Sequence, residues 1–339
     1  MDLKKLPKTE FAAAIMQIAG ERKLSDPQII LDAIESGLIA AYKRDQKEKG
    51  VEVSEDEVFT VDLDPASGSF HVYQLDGEKR KDVTPPGFGR IAAQTAMQVI
   101  TNGINVAERD KIMGDYENKV GTLLQGTVLK ADSYKLVISL NQTEGICPKD
   151  EQIRGEFLKV GDRKLFLIKS VNQDAETGKK DVILSRRDPE FVRQLFMREV
   201  PEVGNKTVKI EKIARSAGDR TKVAVSSSQN TIDPVGSCIG QRGARIQAIL
   251  GELPPHEKVD VILYNKNLYQ LVVNALSPAE GAKVTELDKD RKIILVTVPE
   301  DQLALAIGSE GSNVRLAGEL VGGYDIKVVG ASSVPATEA

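Results

Sequence analysis

The sequence predicts a multidomain α+β protein, and three observations carry that prediction. Cys238 to Ile246 and Ala306 to Val314 are nearly the same stretch: an apolar residue, then G-x-x-G, then residues at helical spacing. Ile239 and Ile307 lie 68 residues apart, and each motif leads through a helical pattern into a β-branched run, 258–263 in the first and 324–329 in the second. Self-similarity over a whole supersecondary unit marks tandem domains. Upstream, five short β runs between residues 121 and 185 suit a small closed barrel. Before them, residues 1–118 mix helical periodicity with a hairpin, which makes an α+β head.

Composition sets the bounds. The chain has 339 residues, 41% hydrophobic and 28% charged, enough for two to four small domains. No apolar run approaches the span of a bilayer and the N-terminus has no hydrophobic signal region, so no membrane partner and a cytoplasmic location are expected. Cys147 and Cys238 are the only cysteines and His71 and His256 the only histidines, all far apart. That pattern argues against a zinc site, a disulfide scaffold or a Cys/His nucleophile pair, and both cysteines read as core residues. No catalytic residue, metal or cofactor is expected.

The net charge of −4 hides a gradient. Residues 1–119 hold 16 basic against 21 acidic residues, 120–187 hold 12 against 9, 188–280 hold 12 against 11, and 281–339 hold 6 against 9. An acidic head suits a basic protein surface better than a phosphate backbone, and the middle is where nucleic acid is attracted.

In the head, Phe11, Ala14, Ile15 and Ile18 recur at helical spacing before Gly20. Asp26-Pro27 restarts a helix as cap and first residue, with Ile30, Ala33, Ile34, Leu38 and Ala41 as its core stripe. Residues 57–63 and 70–75 alternate as strands around the turn 64–68. A long helix then runs from Phe88 to Ile112 through Ala93, Ala96, Ile100, Ile104 and Ala107, bending where Gly103 weakens it. From composition alone this head is an interaction domain without a site.

Residues 119–187 carry β runs at 121–130, 135–140, 145–146, 164–171 and 181–185, an OB-type arrangement. Gly126-Thr127-Val128, Glu144-Gly145, Val160-Gly161-Asp162 and Leu184-Ser185-Arg186-Arg187 resemble an S1 RNA-binding domain. Such barrels stack bases on aromatic rings inside a basic groove. Tyr134 is the stacking candidate, with a solvated loop tyrosine as the alternative; Phe157 and Phe166 read equally well as core. Lys130, Lys135, Lys164, Lys169, Arg186 and Arg187 are candidate phosphate contacts, although any one lysine is also a plausible wetted surface residue.

From residue 188 the order α-β-β-α-α-β occurs twice, 188–266 and 267–330, which is the bacterial (type II) KH order. In a KH domain the G-x-x-G turn clamps about four nucleotides of single-stranded RNA. Two glycines turn sharply between helices and admit a phosphate backbone to peptide N–H groups, and the following helix turns its positive end to the same place. Ile239, Gly240, Gln241, Arg242, Gly243 and Arg245 form the first candidate site; Ile307, Gly308, Ser309, Glu310, Gly311, Asn313 and Arg315 form the second. Arg242 and Arg245 add positive charge to the first loop. Ser309 and Glu310 leave the second weaker, or binding by a different face. No Gly/Ser or Pro-rich linker divides barrel and KH units, so a rigid rod with one RNA path is expected. Residues 331–339 read as a disordered tail.

Longer motifs narrow the reading. Phe88-Gly89-Arg90-Ile91-Ala92-Ala93-Gln94-Thr95-Ala96 with Ala107-Glu108-Arg109, Arg187-Asp188-Pro189-Glu190-Phe191-Val192, Glu199-Val200-Pro201-Glu202, Arg220 to Val225, and Leu305-Ala306-Ile307-Gly308 with Asn313 to Ala317 resemble the bacterial transcription factor family NusA. The resemblance covers about residues 9–329. Ser312 stands where family members often have glutamine, which puts one RNA-facing hydrogen bond in question. The resemblance implies a monomer whose head docks on RNA polymerase while S1 and KH domains hold nascent single-stranded RNA. The outcome is modulated pausing, intrinsic termination or, with other factors, antitermination. It also implies that regulation through the acidic C-terminal repeats of some relatives is absent. Two other classes stay open at this point: an RNA chaperone in ribosome assembly, and the RNA-binding part of an exoribonuclease, against which stands the lack of clustered metal-binding carboxylates.

Overall fold

A computed structural model describes residues 27–51, 57–63, 70–76, 79–86, 88, 98, 109–173 and 180–333. They fall in two compact units, 1–111 and 112–339. In the first, helix α1 (Pro27–Glu48) accompanies an antiparallel sheet of β1 (Val58–Leu63), β2 (Phe70–Asp76) and β3 (Lys79–Asp82), with β2 central. Leu38, Tyr42, Phe59, Val61, Val72 and Phe88 are buried. The Tyr42 ring stands 5.2 Å from that of Phe59 and edge-on to Phe88 at 6.3 Å.

Strand β3 was not expected. Lys79, Arg80, Lys81 and Asp82 are all exposed and have no apolar alternation; they pair along β2 as an edge strand. The first predicted helix, the hairpin turn at 64–68 and most of the predicted long helix lie outside the described residues. Residues 109–117 are helical, and Met113 and Tyr116 pack into the core of the barrel that follows.

That barrel comprises β4 (Leu123–Ala131), β5 (Lys135–Ser139), β6 (Glu144–Pro148), β7 (Arg163–Gln173) and β8 (Lys180–Ser185). It closes in the order β4-β5-β6-β8-β7, with β7 returning to β4. Period-two alternation sends Leu136 and Ile138 of β5 and Val182 and Leu184 of β8 inward, around Phe166 and Cys147. This is the five-stranded S1/OB-like barrel that the sequence predicts.

Two KH units follow. The first runs α2 (Pro189–Glu199), the short α3 (Pro201–Gly204), β9 (Val208–Ser216), β10 (Arg220–Ser227), α4 (Pro234–Ile239), α5 (Ala244–Gly251) and β11 (Lys258–Leu263). The second runs α6 (Leu268–Ala275), β12 (Lys283–Asp288), β13 (Ile293–Val298), α7 (Leu303–Ile307), α8 (Ser312–Val321) and β14 (Asp325–Gly330). In both sheets the central strand is antiparallel to the preceding strand and parallel to the last. Short polar residues start three of these helices: Asp188, Asp233 and Asn267 accept the N–H two residues on, and Pro189 and Pro234 occupy first helical positions.

Hydrophobic cores cross both junctions. Phe191, Val192, Leu195 and Phe196 of the first KH unit pack with Leu165 and Leu167 of β7. Ala214, Ala224 and Ile262 of the same unit pack with Val272, Ile294 and Leu316 of the second. Any hinge motion at either junction must expose apolar surface, at about 25 cal/mol per Å². The predicted disordered tail begins ordered: 331–333 form a single 3-10 turn whose Ser332 N–H donates to Glu300 at 3.2 Å. Residues 334–339 lie outside the described residues.

Candidate nucleic-acid interface

The two glycine loops have the same backbone. Gly240 and Gly308 take φ, ψ of 76°, 172° and 75°, 173°; Arg242 and Glu310 take 51°, 26° and 51°, 28°; Gly243 and Gly311 take 78°, 11° and 71°, 15°. All lie at positive φ, and the values of the first glycine belong to a region that only glycine adopts readily. A Cβ on Gly240 would stand 2.7 Å from Arg245 Cγ, and one on Gly308 would stand 2.8 Å from the backbone N of Asn313. Chain folded this closely leaves no room for a side chain between loop and following helix.

Most of the predicted loop residues face solvent. Gln241, Arg242, Ser309 and Glu310 are exposed, as are Ile239 and Ile307, which hold apolar surface at 38% and 37% exposure beside each turn. On the barrel, Lys130, Lys135 and Arg187 are exposed and Tyr134 is 81% exposed. Lys130 lies 3.9 Å from Asp132, whose carboxyl is held below the usual range by N–H groups of Tyr134 and Lys135. Arg315 is exposed and 3.3 Å from Glu319.

Three predicted contacts are engaged elsewhere. Arg186 is 1% exposed: its guanidinium donates to both Glu156 oxygens at 2.7 and 2.6 Å, to the Leu165 carbonyl at 2.6 Å and to the Glu252 carbonyl at 2.7 Å. It lies over the Phe166 and Phe191 rings, at 5.8 and 5.0 Å, and so ties barrel to first KH unit with no donor facing solvent. Asn313 is wholly buried, its amide donating to the carbonyls of Leu276, Leu305 and Ala306 and accepting from Arg220 at 3.0 Å. Arg245 donates to the Ser237 carbonyl at 2.6 Å and pairs with Glu202 at 2.8 Å. These three shape the surface from behind. Ser312, the departure from the family pattern, is 7% exposed.

Phe166 is buried as core, whereas Phe157 is 88% exposed. Phe157 and its exposed neighbour Arg154 lie outside the predicted set. Their signal was an aromatic residue inside a run of turn and charged residues, 154–159. Burial pushes both thiols, Cys147 and Cys238, up to about 12, which keeps them protonated and unreactive, as core residues should be. Among the described residues no helix is long and apolar enough to cross a membrane.

The comparisons with known proteins agree with this architecture. Residues 10–77 match a NusA N-terminal domain, 186–264 a NusA-like first KH domain and 268–335 a NusA-like second KH domain. The transcription termination/antitermination protein NusA of Halalkalibacterium halodurans is 35% identical over 335 residues, which span 93% of this chain and 86% of that protein. Its counterpart in Bacillus subtilis is 35% identical over 335 residues, 93% of this chain and 89% of that protein. That of Thermus thermophilus is 35% identical over 349 residues, 94% and 89%. With two KH domains behind an S1/OB-like barrel and this similarity along nearly its whole length, the chain belongs to the NusA family of transcription termination/antitermination proteins.

Proposed function

We propose that the chain is a transcription elongation factor that carries two grips: an N-terminal unit for RNA polymerase and a barrel-KH-KH unit for the emerging single-stranded transcript. The observation that carries this reading is the pair of glycine loops, alike in backbone, on one unit in which a hydrophobic core spans each domain junction. The loops offer backbone N–H groups and helix N-termini to phosphates, and the exposed Arg242 and barrel lysines add charge. No bond is made or broken. Tethering to polymerase supplies the transcript at high effective concentration, so individually weak contacts suffice to hold it. Holding RNA there biases the complex toward pausing and intrinsic termination, or toward antitermination when other factors occupy the same assembly.

The test divides the two grips. A chain lacking residues 1–111 keeps the whole second unit; it should lose association with polymerase and still bind RNA. If that shortened chain retains polymerase as well as the full chain does, the assignment of the two grips is wrong.

A further inference from the structure

A chain of buried polar groups runs from the sheet of the first KH unit to the glycine loop of the second. Lys222 of β10 and Asp260 of β11 stand opposite each other in the parallel pair, and the Asp260 carboxylate takes Lys222 at 3.0 Å and Arg220 at 3.4 Å. Both cations then reach across the junction. Lys222 donates to the carbonyl of Ser277, just past α6, at 2.8 Å, and Arg220 donates to the side-chain oxygen of Asn313, in the first turn of α8, at 3.0 Å. Lys222 and Asn313 are fully buried, and the side chains of Arg220 and Asp260 are 13% and 16% exposed.

Asn313 is the residue packed against Gly308, so it closes the second turn. Its amide nitrogen is shared among the carbonyls of Leu276, Leu305 and Ala306, which uses up its donors and leaves its oxygen for Arg220. Without Arg220 a buried acceptor loses a charged donor. The first loop is closed differently. Arg245, packed against Gly240, is held by Ser237 and Glu202 of its own unit, and the cavity of about 670 Å³ beside that loop is lined by residues of the first unit alone. The cavity of about 560 Å³ beside the second loop has Ser216, Gly218 and His256 of the first unit in its wall.

We propose that Arg220 is a positioning residue for the second glycine loop: that loop takes its closed shape against the first KH unit, whereas the first loop closes on its own. Dependence then runs one way, from the first unit to the second. The consequence for RNA, that the second clamp is set only beside an intact first unit, rests on the reading that the loops clamp RNA.

Amide hydrogen exchange in the full chain, without RNA, reads both loops at equivalent positions. Gly243 and Ala244 donate to the carbonyls of Gly240 and Gln241 as Gly311 and Ser312 donate to those of Gly308 and Ser309. Arg220→Met should speed exchange at Gly311 and Ser312 about tenfold, the scale of one lost hydrogen bond from a charged donor, and leave Gly243 and Ala244 unchanged. Asp260 keeps Lys222 in that variant, so no buried charge is stranded and the chain should fold. Arg220→Lys, which keeps a donor and a charge, should return the rates toward those of the unaltered chain. Lys222→Met is the contrast: it cuts the other tie across the same junction and should not single out the second loop. The proposal is overturned if Arg220→Met leaves Gly311 and Ser312 unchanged, if it speeds both loops alike, or if Lys222→Met speeds the second loop as much. Saturating unstructured RNA tests the functional reading separately, since it should slow exchange at Gly311 and Ser312 in the unaltered chain. No slowing there, with the Arg220 variants behaving as expected, defeats the clamp at the second loop and leaves the coupling standing.

Discussion

The first and second glycine loops share a backbone to within a few degrees and differ in almost every exposed side chain. The position five residues after the first glycine shows what is shared. In the first loop Arg245 covers Gly240 and donates to the carbonyl of Ser237; in the second Asn313 covers Gly308 and donates to the carbonyl of Leu305. Those two carbonyls are equivalent, each among the last of a short helix that leaves them without intrahelical donors. One residue type is charged and half-buried, the other neutral and fully buried, yet both close the same turn. Loop shape is therefore set by glycines and by a side chain facing inward, and the two central residues are free to set the charge at the turn.

The largest expected effect tests that separation. Gln241→Asp with Arg242→Asp changes the first loop by three units of charge, whereas Ser309→Asp with Glu310→Asp changes the second by one. At about 1 kcal/mol per unit charge for a contact near 4 Å in a water-like dielectric, RNA affinity should fall roughly a hundredfold in the first variant and about fivefold in the second. Equal losses would mean that the loops act through shape alone. Titration with one RNA at fixed salt reads the difference directly.

Next in size is the cost of filling each first glycine. Gly240→Ala and Gly308→Ala both force a side chain into a backbone region reserved for glycine, at about 1–3 kcal/mol. The second should cost more. The Cβ at 308 would press on the backbone N of Asn313, which cannot move without α8, while the Cβ at 240 would meet only the flexible stem of Arg245. Urea midpoints of the two variants, at unchanged slope, should fall in that order. The reverse order would show that Arg245 is held more stiffly than Asn313, against their burial.

What the sequence made legible follows from periodicity and from glycine. The barrel strands alternate and the loops need glycine, so both could be placed by inspection. Strand β3 could not, because Lys79 to Asp82 pair along an edge with no inward side chain. Charge was the less readable quantity. Arg186 and Arg187 are adjacent and identical in type, yet Arg186 is consumed by Glu156, Leu165 and Glu252, partners 30, 21 and 66 residues away. Arg187 stays exposed. Phe157 and Phe166 differ likewise: Phe166 lies on β7 facing inward, and Phe157 lies in the loop before it. Which member of such a pair faces solvent is decided by tertiary neighbours that no local window contains.

The smallest effect asks whether the second loop is restrained by a single side chain. Glu310 is exposed, sits at φ 51° and lines, with Ser309, a cavity of about 560 Å³ between the second loop and Arg154. Glu310→Gln keeps the length and the backbone demand and removes one negative charge. RNA affinity should rise about threefold to fivefold, for the same reason that one added charge lowers it by that factor. Arg242→Gln should lower it by a similar factor, so the two loops would converge from opposite sides. Because both side chains are exposed, the shifts should shrink together as salt shortens the screening length from about 10 Å at 0.1 M toward about 3 Å at 1 M. If Glu310→Gln leaves affinity unchanged while Arg242→Gln lowers it, the transcript bypasses the second loop, and the likeness of the two backbones reflects a shared fold rather than a shared grip.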